Sequence, residues 1–394
     1  MITSNHREMV LNDTYYSKTI NWGYIGMKIV VLGSGMMGQA IAYDLCNFSK
    51  FDCITIADKD KKILQLSNNF LNKKEIDFQT IDVENTEDVT DFLKNYDIAI
   101  SAVPYLYNYK LAKIAIELKT HFLDLGGNND IVKKERSLTD KAKKNKVTII
   151  PDCGLAPGLT SVITRDIVGQ MDDLEYVKIR VGGLPINPKP PLNYQIVFSP
   201  YGLINEYVED SIILNKGNII KKPSMTEIEE ITFPKPFGTM EAFLTSGGCS
   251  TLPYTYNNKI GYLDYKTIRY KGHCEQFKPL LDIKPKEKLV NFLEKNLLKN
   301  EKDVVLLKVF SKGTINGKDK KLEYLMIDKY DNKNNITSMM RTTAYPTSIM
   351  AIMIEKKIIN RYGVFCPEEI VPCDSFFKEL EIRKIKIKKI INDL

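Results

Sequence analysis

The chain has 394 residues, 43% hydrophobic and 27% charged, with a net charge of +7. That balance suits two or three globular domains and excludes wholesale disorder. Its dispersed basic residues exclude the concentrated face of a nucleic-acid binder, and no apolar run is long enough for a membrane helix. Seven cysteines at irregular spacing and three histidines predict neither a disulfide framework nor a metal centre.

Residues 1–26 are polar, lack the apolar stretch of a signal peptide and read as either a disordered extension or a misplaced start of a cytoplasmic protein. From Met27 a short β-branched run predicts a buried strand, and Gly33-Ser-Gly35-Met36-Met37-Gly38 then opens an amphipathic helix. A second strand, Cys53–Asp58, ends in a carboxylate 20 residues after Gly38. Further apolar runs end at Asp82, Ser101, Asp124 and Pro151, and helix-forming segments separate most of them. Strands alternating with helices predict an α/β fold, a doubly wound parallel sheet of Rossmann type.

Within that fold Gly33 permits the tight turn, Gly35 lets the backbone approach a pyrophosphate, and Gly38 lets helix and strand pack closely. Asp58 is placed to hydrogen-bond ribose hydroxyls and to repel a 2′-phosphate, which favours NAD over NADP, although Lys59, Lys61 and Lys62 follow it. Asp82, Ser101-Ala102-Val103-Pro104, Asp124-Leu-Gly-Gly127 and Asp152-Cys153-Gly154 fall at strand ends, where such folds bind their ligands.

From about Asp172 the alternation loosens. Glu175–Val181 and Val304–Phe310 read as strands of a sheet with one open face, Gly182–Pro191 as an extended loop and Asp331–Asn335 as a hairpin tip. A helical pattern resumes at Tyr345-Pro346 and ends near Arg361. An amphipathic piece covers Ser375–Leu380, and the Lys/Ile alternation at 384–391 suggests an edge strand.

Five motifs stand out: Asp124-Leu-Gly-Gly127, Pro151-Asp-Cys-Gly-Leu-Ala-Pro-Gly158, Pro191-Leu-Asn-Tyr194 leading into Phe198-Ser199, Glu241-Ala-Phe-Leu-Thr245-Ser246-Gly247-Gly248, and Lys266-Thr-Ile-Arg269-Tyr-Lys-Gly-His273. With Gly363-Val and Pro367-Glu they resemble the saccharopine dehydrogenase-like oxidoreductases, most closely the lysine 6-dehydrogenase group, from Met27 onward. The extension before Met27 departs from that pattern.

The resemblance implies a Rossmann domain from residues 27–151 plus about 346–394. Residues 152–345 then form an inserted α+β mixed-sheet domain for substrate binding and dimerisation, in a homodimer. It also implies hydride transfer between a nicotinamide and a carbon bearing nitrogen. For lysine this is oxidation at the ε-amine to the 6-semialdehyde, which cyclises, with ammonia and NADH released. The alternatives are a secondary-amine substrate such as saccharopine or carboxynorspermidine, or a cofactor-binding regulator without turnover.

Such chemistry needs a proton acceptor, a cation for the α-carboxylate and a partner for the α-ammonium. Arg269 is the candidate for the carboxylate, because its planar fork suits bidentate pairing. Asp124, Asp152, Lys266 and His273 are the proton-handling candidates. Tyr194, Glu241, Thr245 and Ser246 are expected to line the pocket, with Glu241 facing the ammonium. Cys153 is expected to pack near the nicotinamide.

Overall fold

The computed structural model describes residues 26–71, 75–299 and 301–393, so the extension expected over 1–26 lies, Gly26 apart, outside the described residues. The first half provides β1 (Lys28–Leu32), β2 (Cys53–Asp58), β3 (Asp77–Thr80), β4 (Ile98–Ser101), β5 (His121–Asp124) and β6 (Thr148–Ile150). The second provides β7 (Asp173–Pro185), β8 (Gln195–Ile196), β9 (Ser211–Asn215), β10 (Asn218–Lys222), β11 (Glu229–Phe233), β12 (Gly238–Leu244) and β13 (Ile260–Arg269). It continues with β14 (Leu298–Lys299), β15 (Asp303–Ile315), β16 (Lys318–Lys329), β17 (Gly363–Val364) and β18 (Ile387–Asp393).

One sheet has the order β17-β6-β5-β4-β1-β2-β3, with every pairing parallel. Crossover helices such as Met36–Phe48 and Asn108–Leu118 connect its strands, and that is why β1 and β4 can be continuous apolar runs buried on both faces. The other sheet is mixed, in the order β10-β9-β13-β7-β15-β16-β18, with β12 also pairing β13 and β11 pairing β12. Only β13 and β7 run parallel in it.

The helix Ser338–Glu355 touches β5 on one side and β15 on the other and packs along Met36–Phe48. Its residues are buried on every side, so it carries no amphipathic period. That explains why it starts seven positions before the helix expected at Tyr345, with Pro346 inside it rather than at its start, and why it stops at Glu355. Other segments also differ from expectation. β7 runs on through Gly182–Pro185, because β15 pairs with it as far as Asp303. Residues 331–336 form a turn closed by an antiparallel bridge, as expected of a hairpin tip, and lead into the helix. The 346–394 segment is divided between the two sheets: β17 closes the parallel sheet beside β6, whereas β18 pairs with β16 of the mixed one.

An ion pair with no exposure, Arg383 Nε to Asp44 Oδ1 at 2.8 Å, ties the C-terminal segment to the helix Met36–Phe48, and Ser348 adds a hydroxyl to the same carboxylate. Replacing Asp44 with alanine leaves Arg383 buried against Glu379 alone, and breaking such a pair is expected to cost about 3–5 kcal/mol. Urea unfolding of the variant measures this; an unmoved midpoint would mean that the pair contributes nothing net.

Candidate functional site

The cofactor edge is shaped by backbone. Gly33 adopts φ +101°, and a Cβ there would sit 2.7 Å from the Ala102 carbonyl oxygen; one on Gly38 would sit 1.9 Å from that of Gly33. Around Gly35 the space is open, and the helix that begins at Met36 has no side-chain cap. Its first N–H groups are therefore free for a phosphate, and the residues fit a dinucleotide.

Asp58 turns its carboxylate back onto the loop, where Oδ2 accepts from Ser34 N at 2.7 Å and Oδ1 from Asp60 N at 3.0 Å. Lys59 is held by Glu84 at 2.7 Å. Asp82 is exposed beyond β3, with its carboxylate on Glu84 N. Ser101 gives its hydroxyl to Asn108, which leaves Ala102, Val103 and Pro104 as the strand-end backbone beside the glycine loop. Met36 and Met37 occupy the helix start, the former partly exposed.

At the ends of β5 and β6 the carboxyl groups are buried. Asp124 Oδ1 accepts from the amides of Gly126 at 2.6 Å and Asp152 at 3.3 Å. Asp152 Oδ2 accepts from Ser250, a residue of the second half. Both adopt left-handed backbone, φ 63° and 41°, so strain is stored where the two halves meet. Asp152 Oδ1 has no hydrogen-bond donor and lies against Gly126, where a Cβ would come within 2.0 Å. Burial, then the nearby charge of Asp124, pushes Asp152 up to about 8. Cys153 is fully buried, its thiol on the Ile150 carbonyl, and burial raises it well above the usual thiol range; this is a packing residue.

In the mixed sheet the odd-numbered residues of β13 share a face with those of β12: Arg269 pairs with Glu241 and Thr267 with Phe243. Arg269 is 2% exposed. Its guanidinium carbon lies 4.6 Å from the Tyr194 ring centre; Nε donates to Tyr207 Oη at 2.8 Å and Nη1 to Thr267 and the Ile268 carbonyl at 2.9 Å. Among the described residues no carboxylate comes within ion-pair distance of it. Tyr194 Oη and Thr245 Oγ1 are likewise buried without partners.

Three expectations fail here. His273 donates from Nδ1 to the Leu192 carbonyl at 2.8 Å and accepts at Nε2 from Tyr207 at 3.1 Å. Burial, reinforced by Arg269, lowers it to about 3, so it is a neutral prop for Tyr207 and no proton shuttle at neutral pH. Lys266 lies on the opposite face of β13, bound to Glu229 at 2.8 Å in a network with Arg180 and Asp264. Glu241 spends both oxygens on the backbone N–H groups of Gly272 at 2.8 Å and Cys274 at 2.7 Å, and is not free to face an ammonium. Asp124 commits Oδ1 to backbone amides and leaves Oδ2 buried without a donor.

The sequence reading missed the helix Pro200–Val208. It brings Tyr207 to Arg269 and half-buried Glu206 into the same electrostatic environment, where burial pushes Glu206 up to about 7 against the pull of Arg269. Asn205 reaches the other half, donating to Tyr105 Oη at 3.0 Å, and accepts from Lys286. Ser246 closes the site by bonding the Asn205 and Glu206 carbonyls. Thus Tyr194 packs on Arg269 and Ser246 bonds the end of the helix that carries Tyr207, while Asp152 meets the second half at Ser250 and Lys266 lies on the other face of β13.

A Rossmann sheet with a fitted glycine loop, facing an inserted mixed sheet with a buried cation, defines a nicotinamide-dinucleotide-binding protein of two halves. Residues 29–150 match the saccharopine dehydrogenase NADP binding domain and residues 154–385 the saccharopine dehydrogenase C-terminal domain; the chain belongs to the saccharopine dehydrogenase family.

It is 24% identical over 276 residues to the NADP(+)-dependent, L-glutamate-forming saccharopine dehydrogenase of Saccharomyces cerevisiae, covering 66% of this chain and 58% of that one. It is 27% identical over 149 residues to α-aminoadipic semialdehyde synthase of Arabidopsis thaliana, 36% of this chain and 13% of that one. Among solved structures, apo saccharopine dehydrogenase (L-Glu forming) from Saccharomyces cerevisiae superposes with a TM-score of 0.76 at 17% identity, covering 93% of this chain and all of the other. Homospermidine synthase from Legionella pneumophila, in complex with NAD, gives 0.67 at 15% identity, covering 93% and 92%.

Proposed function

We propose that this protein is an oxidoreductase acting on a carbon–nitrogen bond of an amino acid, and that its substrate is L-lysine, oxidised at the ε-amine to the 6-semialdehyde with release of ammonia. The observation that carries this is Arg269, a buried guanidinium with no carboxylate beside it, placed to receive the single α-carboxylate of lysine. Glu206, in the electrostatic reach of Arg269, takes the place first given to Glu241 and faces the α-ammonium on the adjacent carbon.

The ε-ammonium must lose a proton before its carbon can be oxidised. Of the four proton-handling candidates, Asp124 and Asp152 each combine a strand-end position with an unpaired oxygen; Asp152, pushed higher to about 8, serves as the acceptor. The bound nicotinamide supplies the hydride acceptor. Tyr194 and Thr245 then bound the pocket, and water hydrolyses the imine left when hydride departs from the ε-carbon, giving the semialdehyde and ammonia.

NAD is favoured over NADP because Asp58 ends β2 and Lys59, tied to Glu84, cannot offset its charge. Asp58→Ala should weaken NAD binding roughly 10–100-fold and NADP binding less, since a hydrogen bond to a charged group contributes about 1.5–3 kcal/mol. Equal losses in titrations with both cofactors would remove Asp58 from the ribose site.

A second reading, a secondary-amine substrate such as saccharopine or carboxynorspermidine, is favoured by Lys286. This ammonium sits on Asn205 at the contact with Tyr105, where it could hold an additional carboxylate. Reduction of NAD and NADP with lysine, ornithine, saccharopine and carboxynorspermidine decides between them. Lysine should be turned over with one ammonia per reduced cofactor and no keto acid required. Turnover with the secondary amines alone would overturn the lysine assignment.

A further inference from the structure

Glu135, in the helix Asn129–Arg136, is completely buried, yet neither of its oxygens meets an N–H or O–H donor among the described residues. Asp124 Oδ2 is equally without one, and the two carboxyl groups are each other's neighbours. Two ionised carboxylates cannot hydrogen-bond, so the contact requires a proton on one of them. The geometry says which. Asp124 Oδ1 already accepts two backbone amides, which stabilise its charged form, and Glu135 has no such support.

We propose that Glu135 is a positioning residue of the active site: its carboxyl group stays protonated and donates to Asp124 Oδ2, holding ionised Asp124 as the anchor of the Gly126–Gly127 loop beside Asp152. Burial, then the charge of Asp124, displaces Glu135 far above the usual carboxylate range in the same sense. The surrounding groups agree. From the strand ends come Asp124 and Asp152, both acidic; the helix Asn108–Leu118 supplies the neutral Asn108; Glu368 adds a further acid, through Asp152. The nearest cation on the same helix, Arg136, is turned to Glu369 at 2.5 Å. A protonated Glu135 leaves Asp152 facing one negative charge at this cluster rather than two.

The inference rests on the proposed function only in calling the site active, and its first test needs no turnover. In the full chain labelled with [13Cδ]glutamate, one glutamate carboxyl carbon should still show the protonated chemical shift at about pH 9, well above the ordinary carboxylate range. It should vanish in Glu135→Gln and persist in Glu368→Gln. The absence of such a resonance in the unsubstituted protein, or its survival in Glu135→Gln, would overturn the proposal, and the former holds even if the variant does not fold.

The second test is the pH profile of kcat/KM. Glutamine keeps a donor and adds no charge change, so the limb assigned to Asp152 should stay in place and activity should fall by no more than about threefold. Alanine removes the donor and should lower kcat/KM roughly tenfold or more. A limb displaced to lower pH in Glu135→Gln would show that a negative charge had been removed, and that Glu135 was ionised. If lysine is not turned over but the resonance behaves as described, the substrate assignment falls and the Glu135 proposal stands.

Discussion

Replacing Arg269 with alanine is expected to lower kcat/KM for lysine by about 2–5 kcal/mol, roughly 30- to 5,000-fold, the loss seen when one member of a buried, hydrogen-bonded charge pair is removed. Arg269→Lys keeps the charge but not the fork and should lose less. Arg269 also supports Tyr207, which in turn bonds His273, so the alanine variant will melt earlier for reasons unrelated to substrate. Cadaverine separates the two effects, because it presents the same amine without a carboxylate. The ratio of lysine to cadaverine turnover should collapse in the alanine variant. If both substrates lose the same factor, Arg269 is scaffolding and the pocket's carboxylate site lies elsewhere.

Asp152→Asn should lower kcat by about 10²–10⁴-fold, the usual contribution of a positioned acid–base group. Asparagine can still accept the Ser250 hydroxyl, so the fold should hold. In the unsubstituted enzyme the active form of Asp152 is the carboxylate. Oxidation should therefore accelerate as pH rises through about 8 and fall about tenfold per unit below it. Ammonia-dependent reduction in the reverse direction uses the protonated acid and should show the opposite slope. An asparagine variant that retains the acid limb, or an unsubstituted enzyme whose rate is level around that pH, would exclude Asp152 as the acceptor.

The parts of the site that could be read in advance are those dictated by short-range backbone geometry. Gly33, Gly35 and Gly38 sit between one strand and one helix, and Asp124 and Asp152 end strands; each follows from local pattern. Arg269 was recognisable by residue type within its motif. The residues misassigned were those whose meaning depends on orientation. Lys266 and Arg269 are three apart on a strand and must point to opposite faces, a parity that the pattern already contained.

His273 and Glu241 looked reactive by type, but tertiary contacts satisfy every polar atom of their side chains. Glu206 and Tyr207 carried no local signal at all. The helix Pro200–Val208 acquires its role only where it packs against β13 and, through Asn205, meets Tyr105 of the other half.

The placement of β17 has a consequence for biosynthesis. It lies beside β6, and the Thr148 hydroxyl bonds the Arg361 carbonyl 213 positions further on. A ribosome must therefore make all of the mixed sheet except β18 before the cofactor-binding sheet can receive this strand. Until then β6 presents an unpaired edge and the helix Met36–Phe48 lacks its cover from Ser338–Glu355. Such long-range closure slows folding and leaves apolar surface exposed during synthesis. The nascent first half is the stage at which a chaperone has most to protect, and once complete the two halves should unfold together rather than in turn.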